Sequence, residues 1–141
     1  MIKIEKLDSV TNPADFEQLL KLYLSNHWIE AADDSTDALI EKIVASTFCF
    51  AVARDGDTII AMGRAISDGV SDAYIQDVTV LPEYRKQGIG GLIIDFLVDC
   101  LHSHGIEWIG LISEPGYESF YQNLGFGVMP GYTPFLYKGK P

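Results

Sequence analysis

The sequence predicts an α/β fold of the α+β mixed-sheet kind, with a central, mostly antiparallel sheet flanked by about four helices. Three observations predict it. Segments of two-residue apolar alternation interleave with segments of helical spacing, in the order β-α-α-β-β-β-α-β-α-β-β. The triplet Asp55-Gly56-Asp57 separates two apolar runs, which makes them a hairpin and their pairing antiparallel. Residues 74–91 pass from an apolar strand across Pro82 and a basic, Gly-rich turn into a long amphipathic helix, and the rest of the chain is organised around this stretch. At 141 residues, with no repeat, low-complexity tract or linker, residues 1–141 read as a single domain.

The elements follow in order. Ile2, Ile4 and Leu7 fall nearly in phase and predict a first strand with one buried face. Thr11-Asn12-Pro13 is a cap followed by proline and opens a helix to about Ser25, with Phe16, Leu19, Leu20, Tyr23 and Leu24 on one stripe. Ser35-Thr36-Asp37 is a second cap, for a helix over 37–46 that buries Leu39, Ile40, Ile43 and Val44. Residues 48–54 and 58–66 form the hairpin, and 73–81 the next strand, antiparallel to it. Ile89, Leu92, Ile93, Phe96, Leu97, Cys100 and Leu101 recur at helical spacing, and Gly105 ends that helix. Residues 108–112 read as a short buried strand, 117–124 as a short helix closed by Gly125, and 126–129 with 133–137 as a last strand pair around Pro130-Gly131.

Composition excludes several classes of function. Hydrophobic residues make up 48% of the chain and charged residues 21%, a globular balance rather than a disordered one. A net charge of −10 argues against nucleic acid as a partner, because phosphate neutralisation needs a basic face. The acidity suits encounter with a cationic amine, and equally serves solubility alone. Cys49 and Cys100 lie in apolar runs, as core thiols do. No CxxC or Cys/His cluster marks a metal, so none is expected. The first residues hold no apolar signal core, and no apolar run has the length to cross a membrane. The expected protein is cytoplasmic, without a membrane partner.

The chemistry centres on Arg85-Lys86-Gln87-Gly88-Ile89-Gly90-Gly91, at a strand-to-helix junction. A helix start offers free N–H groups and a positive dipole end to a phosphate. Gly88, Gly90 and Gly91 carry no Cβ to keep phosphates off the backbone, and Arg85 and Lys86 add positive charge to an acidic chain. The P-loop pattern and the dinucleotide GxGxxG pattern are both absent. A Gly-rich turn that only lets the helix pack close to its strand remains the alternative.

With these residues the stretch resembles the GNAT superfamily of acetyl-CoA-dependent N-acetyltransferases. Arg85-Lys-Gln-Gly88-Ile-Gly90 fits that family's [Gln/Arg]-x-x-Gly-x-[Gly/Ala] signature without a gap, and Val78-Thr79-Val80-Leu-Pro-Glu-Tyr is similar to the usual approach to it. The element order agrees with the family's fold over nearly the whole chain. The resemblance implies a GNAT-like fold and acetyl-CoA as acyl donor. Val78, Thr79 and Val80 would pair with the pantetheine arm, and residues Arg85 to Gly91 would hold the pyrophosphate. It also implies a splay of the sheet beside this strand.

Ser119-Phe120-Tyr121-Gln122-Asn123-Leu124-Gly125-Phe126 is similar to the family's Phe-Tyr-x-x-x-Gly-Phe pattern. By resemblance, Tyr121 protonates the departing thiolate, a step a positioned hydroxyl can perform. Without the resemblance, Tyr121 reads as an amphipathic tyrosine at the core edge. Glu114 and Asn123 depart from the family's usual Asn and Lys/Arg. Alternation puts Tyr74 and Asp77 on opposite faces of their strand, and Tyr74 stands where some members carry a carboxylate base. Asp77 reads as a structural hydrogen-bonding residue. The acceptor wall is expected in residues 26–36, with Trp28, Glu30, Asp33 and Asp34, and at Tyr132, Phe135 and Tyr137. His27, His102 and His104 show no ligand spacing.

The expected function is transfer of an acetyl group from acetyl-CoA to a primary amine of a small molecule, by direct attack in a ternary complex. Acetylation of a protein or peptide amine is the alternative among enzymes, and a non-catalytic acyl-CoA-binding regulatory module the alternative outside them. A homodimer is possible by analogy with such families.

Overall fold

The structure, a computed structural model, describes residues 1–30 and 32–141. The chain divides into two compact units, Met1–Leu111 and Ile112–Pro141. In the first unit the elements are β1 (Ile2–Leu7), α1 (Pro13–Ser25), α2 (Asp34–Ser46), β2 (Cys49–Asp55), β3 (Thr58–Ser67), β4 (Asp72–Val80), a 3-10 turn (Pro82–Tyr84), α3 (Ile89–Ser103) and β5 (Trp108–Gly110). The strands form one mixed sheet in the order β1-β2-β3-β4-β5. The first three pairings are antiparallel and β4–β5 is parallel. A parallel pair needs a crossover, and α3 supplies it.

Helices cover both faces of this sheet. Ile93 and Leu97 of α3 lie against Gly63 of β3: a Cβ on Gly63 would stand 2.6 Å from Ile93 Cγ2 and 3.3 Å from Leu97 Cδ1. On the other face α1 reaches β4 through Tyr23 and Asn26. With both faces covered, β2 buries consecutive rather than alternate residues, from Cys49 through Ala53.

The helix starts and stripes refine the sequence reading. Asn12 caps α1, its side chain accepting the Ala14 N–H at 2.9 Å. The buried side of α1 is Asp15, Leu19, Leu22 and Tyr23. Leu22 therefore replaces Leu20 and Leu24, which lie half-buried at the flanks. Asp15 is tolerated there because Arg54 grips its carboxylate with two bonds, 2.9 and 2.8 Å, while the Arg54 Nε pairs with Glu5. The α2 cap is Asp33, earlier than the predicted Ser35-Thr36-Asp37: its carboxylate accepts the Ser35 and Thr36 N–H groups, and Thr36 returns a bond to the Asp33 N–H. Leu39 and Leu92, expected inside, are exposed, whereas Ile94 of α3 is buried. Trp108 of β5, expected inside, is 50% exposed.

The pairing of β3 with β4 is interrupted. Met62 opposes Thr79 and Arg64 opposes Gln76, so the single residue Gly63 faces both Asp77 and Val78. This is a β-bulge, and Asp77 enters it with a left-handed φ of 56°. The extra residue overturns the predicted alternation. Asp77 joins Arg64 and Tyr23 on the α1 side of the sheet, the side to which the Tyr74–Ile66 and Gln76–Arg64 register assigns Tyr74.

The second unit, Ile112–Pro141, contains α4 (Glu118–Asn123), closed by Gly125 at φ 99°. The strand pair predicted over 126–129 and 133–137 does not form: α4 is the last element of the chain. Glycines and prolines interrupt this stretch at 127, 130, 131, 134 and 139, and Gly131 and Gly139 take left-handed φ values. Phe135 and Tyr137 are 92% and 81% exposed, so no buried face selects a strand register.

Candidate active site

The donor-side residues predicted from sequence come together in the first unit, at the end of β4 and the start of α3. β4 pairs with β3 across both sides of the bulge, but its pairing with β5 stops at Tyr74–Gly110. Residues 75–80 therefore have no strand beside them on that side of the unit. Leu81 donates its N–H to the Ile60 carbonyl at 2.9 Å, toward β3. Alternation then turns the backbone of Val80 toward the unpaired side, where its carbonyl accepts the Arg85 Nε at 3.0 Å. Val78 directs its side chain to Gly63 and α3. Thr79 faces α1 and accepts the Asn26 Nδ2 at 2.8 Å.

The turn after β4 is held from outside. Pro82 opens the 3-10 turn, the Tyr84 N–H bonds the Leu81 carbonyl at 2.9 Å, and the Tyr84 hydroxyl donates to Asp55 Oδ2 at 2.9 Å. Lys86 and Gly88 then take left-handed φ values of 61° and 80°. Nothing lies within 4 Å of where a Gly88 Cβ would be, so φ, not crowding, requires glycine there.

Gly88 is the N-cap of α3 and has no side chain to offer the helix. The first helical bond runs from the Leu92 N–H to the Gly88 carbonyl, 3.2 Å. The N–H groups of Ile89, Gly90 and Gly91 precede it and point out of the helix start. No acidic residue sits in this first turn. Ile89 is buried and anchors the turn, while Arg85, Lys86, Gln87 and Gly88 are exposed. Free donors, a positive dipole end and two cationic side chains can hold a multiply charged anion.

Tyr74 stands where the β4–β5 pairing ends. Its hydroxyl is buried and has no partner among the described residues. Burial pushes its phenol above the ordinary tyrosine range.

Tyr121 lies on α4 of the second unit. Its ring meets Phe120 edge-on at 5.0 Å and Phe126 at 6.1 Å, and its carbonyl accepts the Phe126 N–H at 3.1 Å. Burial, then the Glu114 carboxylate, then Tyr117 push its phenol upward, which keeps it protonated. Of the expected acceptor-wall residues, Asp33 is engaged as the α2 cap, Trp28 is 36% exposed after α1, and Tyr132, Phe135 and Tyr137 are exposed in the second unit. The side chain of Asp34 lies outside the described residues.

Burial, then the neighbouring Cys100 thiol, push Cys49 up to about 12, which removes it as a nucleophile near neutrality. No group of three or more His, Cys, Asp or Glu among the described residues has the arrangement of a metal site. No helix among them is long and apolar enough to cross a membrane. Sequence reasoning missed the residues that support β4, namely Tyr23, Asn26 and Arg64. Arg64 carried a signal, as the one charge in the apolar run 59–66. Nothing in the spacing of Tyr23 or Asn26 marked them.

Comparison with known proteins adds to this geometry. Residues 46–128 match the family described as acetyltransferase (GNAT) domain. Over 72 residues the chain is 43% identical to the protein named GCN5-related N-acetyltransferase 2, chloroplastic, of Arabidopsis thaliana, a match covering 51% of this chain and 28% of that one. For the first three plant relatives the match covers 28%, 34% and 36% of their length, so the chain spans about a third of them. Among solved structures, a GNAT family acetyltransferase from Streptococcus pneumoniae superimposes with a TM-score of 0.81 at 25% identity, over 100% of both chains. A structure titled AAC(6')-Iy in complex with the bisubstrate analog CoA-S-monomethyl-acetylneamine superimposes with a TM-score of 0.75 at 18% identity, over 100% of this chain and 99% of that one, and shows the shared fold.

Proposed function

Because the chain belongs to the acetyltransferase (GNAT) family, we propose that it transfers an acetyl group from acetyl-CoA to a primary amine of a small molecule, by direct attack in a ternary complex. One observation carries this reading: the uncapped start of α3 opens directly after the strand whose edge is unpaired from residue 75 to residue 80. The free N–H groups of Ile89, Gly90 and Gly91, with Arg85, Lys86 and Gln87, are suited to a diphosphate. The unpaired edge at Val78, Thr79 and Val80 is suited to an extended amide-bearing arm, which gains the hydrogen bonds of an added strand.

Acetyl-CoA supplies an activated acetyl group, and the protein's residues position and protonate. When the amine nitrogen bonds to the carbonyl carbon and the carbon–sulfur bond breaks, the sulfur leaves as thiolate and takes a proton. Tyr121 gives that proton, a role for which an upward-shifted, protonated phenol fits. The amine's own surplus proton leaves through water. Direct transfer is supported by the inert Cys49, which is buried and far from thiolate form at neutral pH.

A small amine as acceptor is supported by the exposure of both Trp28 and Glu30 in the segment after α1, where a ring and a carboxylate suit a cation with an apolar body. The AAC(6')-Iy structure, a complex with the bisubstrate analog CoA-S-monomethyl-acetylneamine, supports it by likeness of fold. The exposed Phe135, Leu136 and Tyr137 support a homodimer, which light scattering reads directly. A cytoplasmic location belongs to the same proposal and rests on composition, while the Arabidopsis relative carries "chloroplastic" in its name.

The deciding experiment measures thiol release from acetyl-CoA over a panel of amines and peptides, beside thermal shift by CoA. Stabilisation by CoA with turnover on small amines is expected. Turnover confined to peptides would move the acceptor to the protein class. Stabilisation without turnover on any amine would leave a binding module, and no stabilisation would overturn the acyl-CoA reading.

A further inference from the structure

The β4 bulge is tied to the end of α1 at two points. Tyr23, which is 2% exposed, donates its hydroxyl to Asp77 Oδ2 at 2.9 Å, and Arg64 Nε donates to the same oxygen at 2.8 Å. Past the bulge, Asn26 Nδ2 donates to Thr79 Oγ1 at 2.8 Å, and to the Leu22 carbonyl at 2.8 Å. The two ties bracket Val78, on the stretch of β4 that is paired to β3 but has no strand on its β5 side.

Tyr23 also fixes the turn that leaves α1. Its carbonyl accepts the Trp28 N–H at 3.1 Å, the Leu24 carbonyl accepts the His27 N–H at 3.1 Å, and His27 takes a left-handed φ of 58°. This is a helix-ending turn of the kind that normally uses glycine. The rings of Tyr23 and Trp28 meet edge-on at 6.1 Å. One side chain therefore touches the bulge with its hydroxyl and Trp28 with its ring.

We propose that Tyr23 is a positioning residue that couples the open edge of β4 to Trp28, so that a molecule bound along residues 78–80 sets the position of the indole. The inference rests on the acyl-CoA reading of that edge. Asp77 stands in a left-handed conformation that L-residues rarely adopt, and its carboxylate is held there by Tyr23 and Arg64. A ligand that adds hydrogen bonds to this edge loads the bulge, and the stiff phenol passes the displacement to the turn. Burial, then the Asp77 carboxylate, push the Tyr23 phenol far above its ordinary value, so it stays protonated and donating around neutral pH. The consequence is donor-dependent presentation of Trp28 to the acceptor.

The chain has two tryptophans, so Trp108→Phe leaves Trp28 as the lone reporter. The test titrates CoA into that background and follows Trp28 emission and its quenching by acrylamide, with thermal shift run in parallel. Saturation with CoA is expected to change both Trp28 signals. Tyr23→Phe, which keeps the ring and loses the hydroxyl, is expected to lose most of that change and retain the thermal shift. An indifferent Trp28 in a protein that CoA stabilises would overturn the coupling alone. An undiminished change in Tyr23→Phe would do the same. No stabilisation by CoA would remove the acyl-CoA reading and this inference with it. Should Tyr23→Phe fail to fold, Asp77→Ala removes the acceptor of the Tyr23 hydroxyl and cuts the same relay from the strand side, with the same expected loss.

Discussion

Two glycines and a tyrosine show how differently single residues act in this chain. Gly63 is required by space, since an added Cβ would stand 2.6 Å from Ile93 Cγ2. Gly63→Ala should therefore lower unfolding free energy by about 1–3 kcal/mol, the usual cost of overpacking, read by urea denaturation. Gly88 is required by its φ of 80°, with open space around it. Gly88→Ala should therefore strain the backbone at the start of α3 and weaken anion binding there, read as a smaller thermal shift by CoA. Tyr121 has neither constraint, and in the proposed reaction its part is that of a protonated hydroxyl. Tyr121→Phe should lower turnover by about 100-fold or more, the scale of a lost general acid, while CoA affinity by calorimetry stays close to wild type. Unchanged turnover would take Tyr121 out of the reaction.

At the scale of elements, stability is distributed among small local devices. Asn12 bonds the Ala14 N–H at 2.9 Å and leads into Pro13, so Asn12→Ala should cost about 1 kcal/mol, seen as a lower midpoint of denaturation with an unchanged slope. Most elements were legible in the sequence because their signals are local: the Asp55-Gly56-Asp57 hairpin, the Asn12-Pro13 helix start, the glycine that ends α3. The donor half of the candidate site was legible for the same reason, since its strand, turn and helix start are contiguous. What escaped was non-local. Adjacent stripes on α1 looked equally apolar, and only the Arg54–Asp15 pair and the buried Leu22 show which one turns inward. The bulge at Asp77 depends on Gly63, Arg64 and Tyr23, none of them neighbours of Asp77 in sequence, so strict alternation misplaced Asp77. The final strand pair was predicted from two short apolar runs around the Pro130-Gly131 turn signal, and nothing in residues 126–137 compels an extended, paired backbone against its glycines and prolines.

For the molecule as a whole, the shifted groups set the pH range of stability. The Asp33 and Asp68 carboxyls lie below the ordinary range, Asp33 mainly through Ser35 and Thr36 and Asp68 through the N–H groups of Ser71 and Val70. A carboxyl depressed by folding contributes stability above its unfolded value, and loses it as pH falls through the folded one. The Tyr23 phenol is raised, so its contribution is complete below the unfolded tyrosine value of about 10 and declines as pH rises beyond it. Thermal midpoints against pH should thus show a plateau between about pH 5 and pH 9, and Tyr23→Phe should flatten the alkaline limb. A wild-type alkaline limb already flat would contradict the burial of that phenol. The short β4–β5 ladder matters at this scale too. A strand in the middle of a sheet normally has no spare hydrogen bonds, yet here pairing ends at Tyr74–Gly110 and leaves the following residues as an internal edge. Exposed edges recruit other strands, which is how sheets begin to aggregate. If the proposed donor lies along that edge, it would take up those spare hydrogen bonds, and its supply would then bear on how readily chains pair through them.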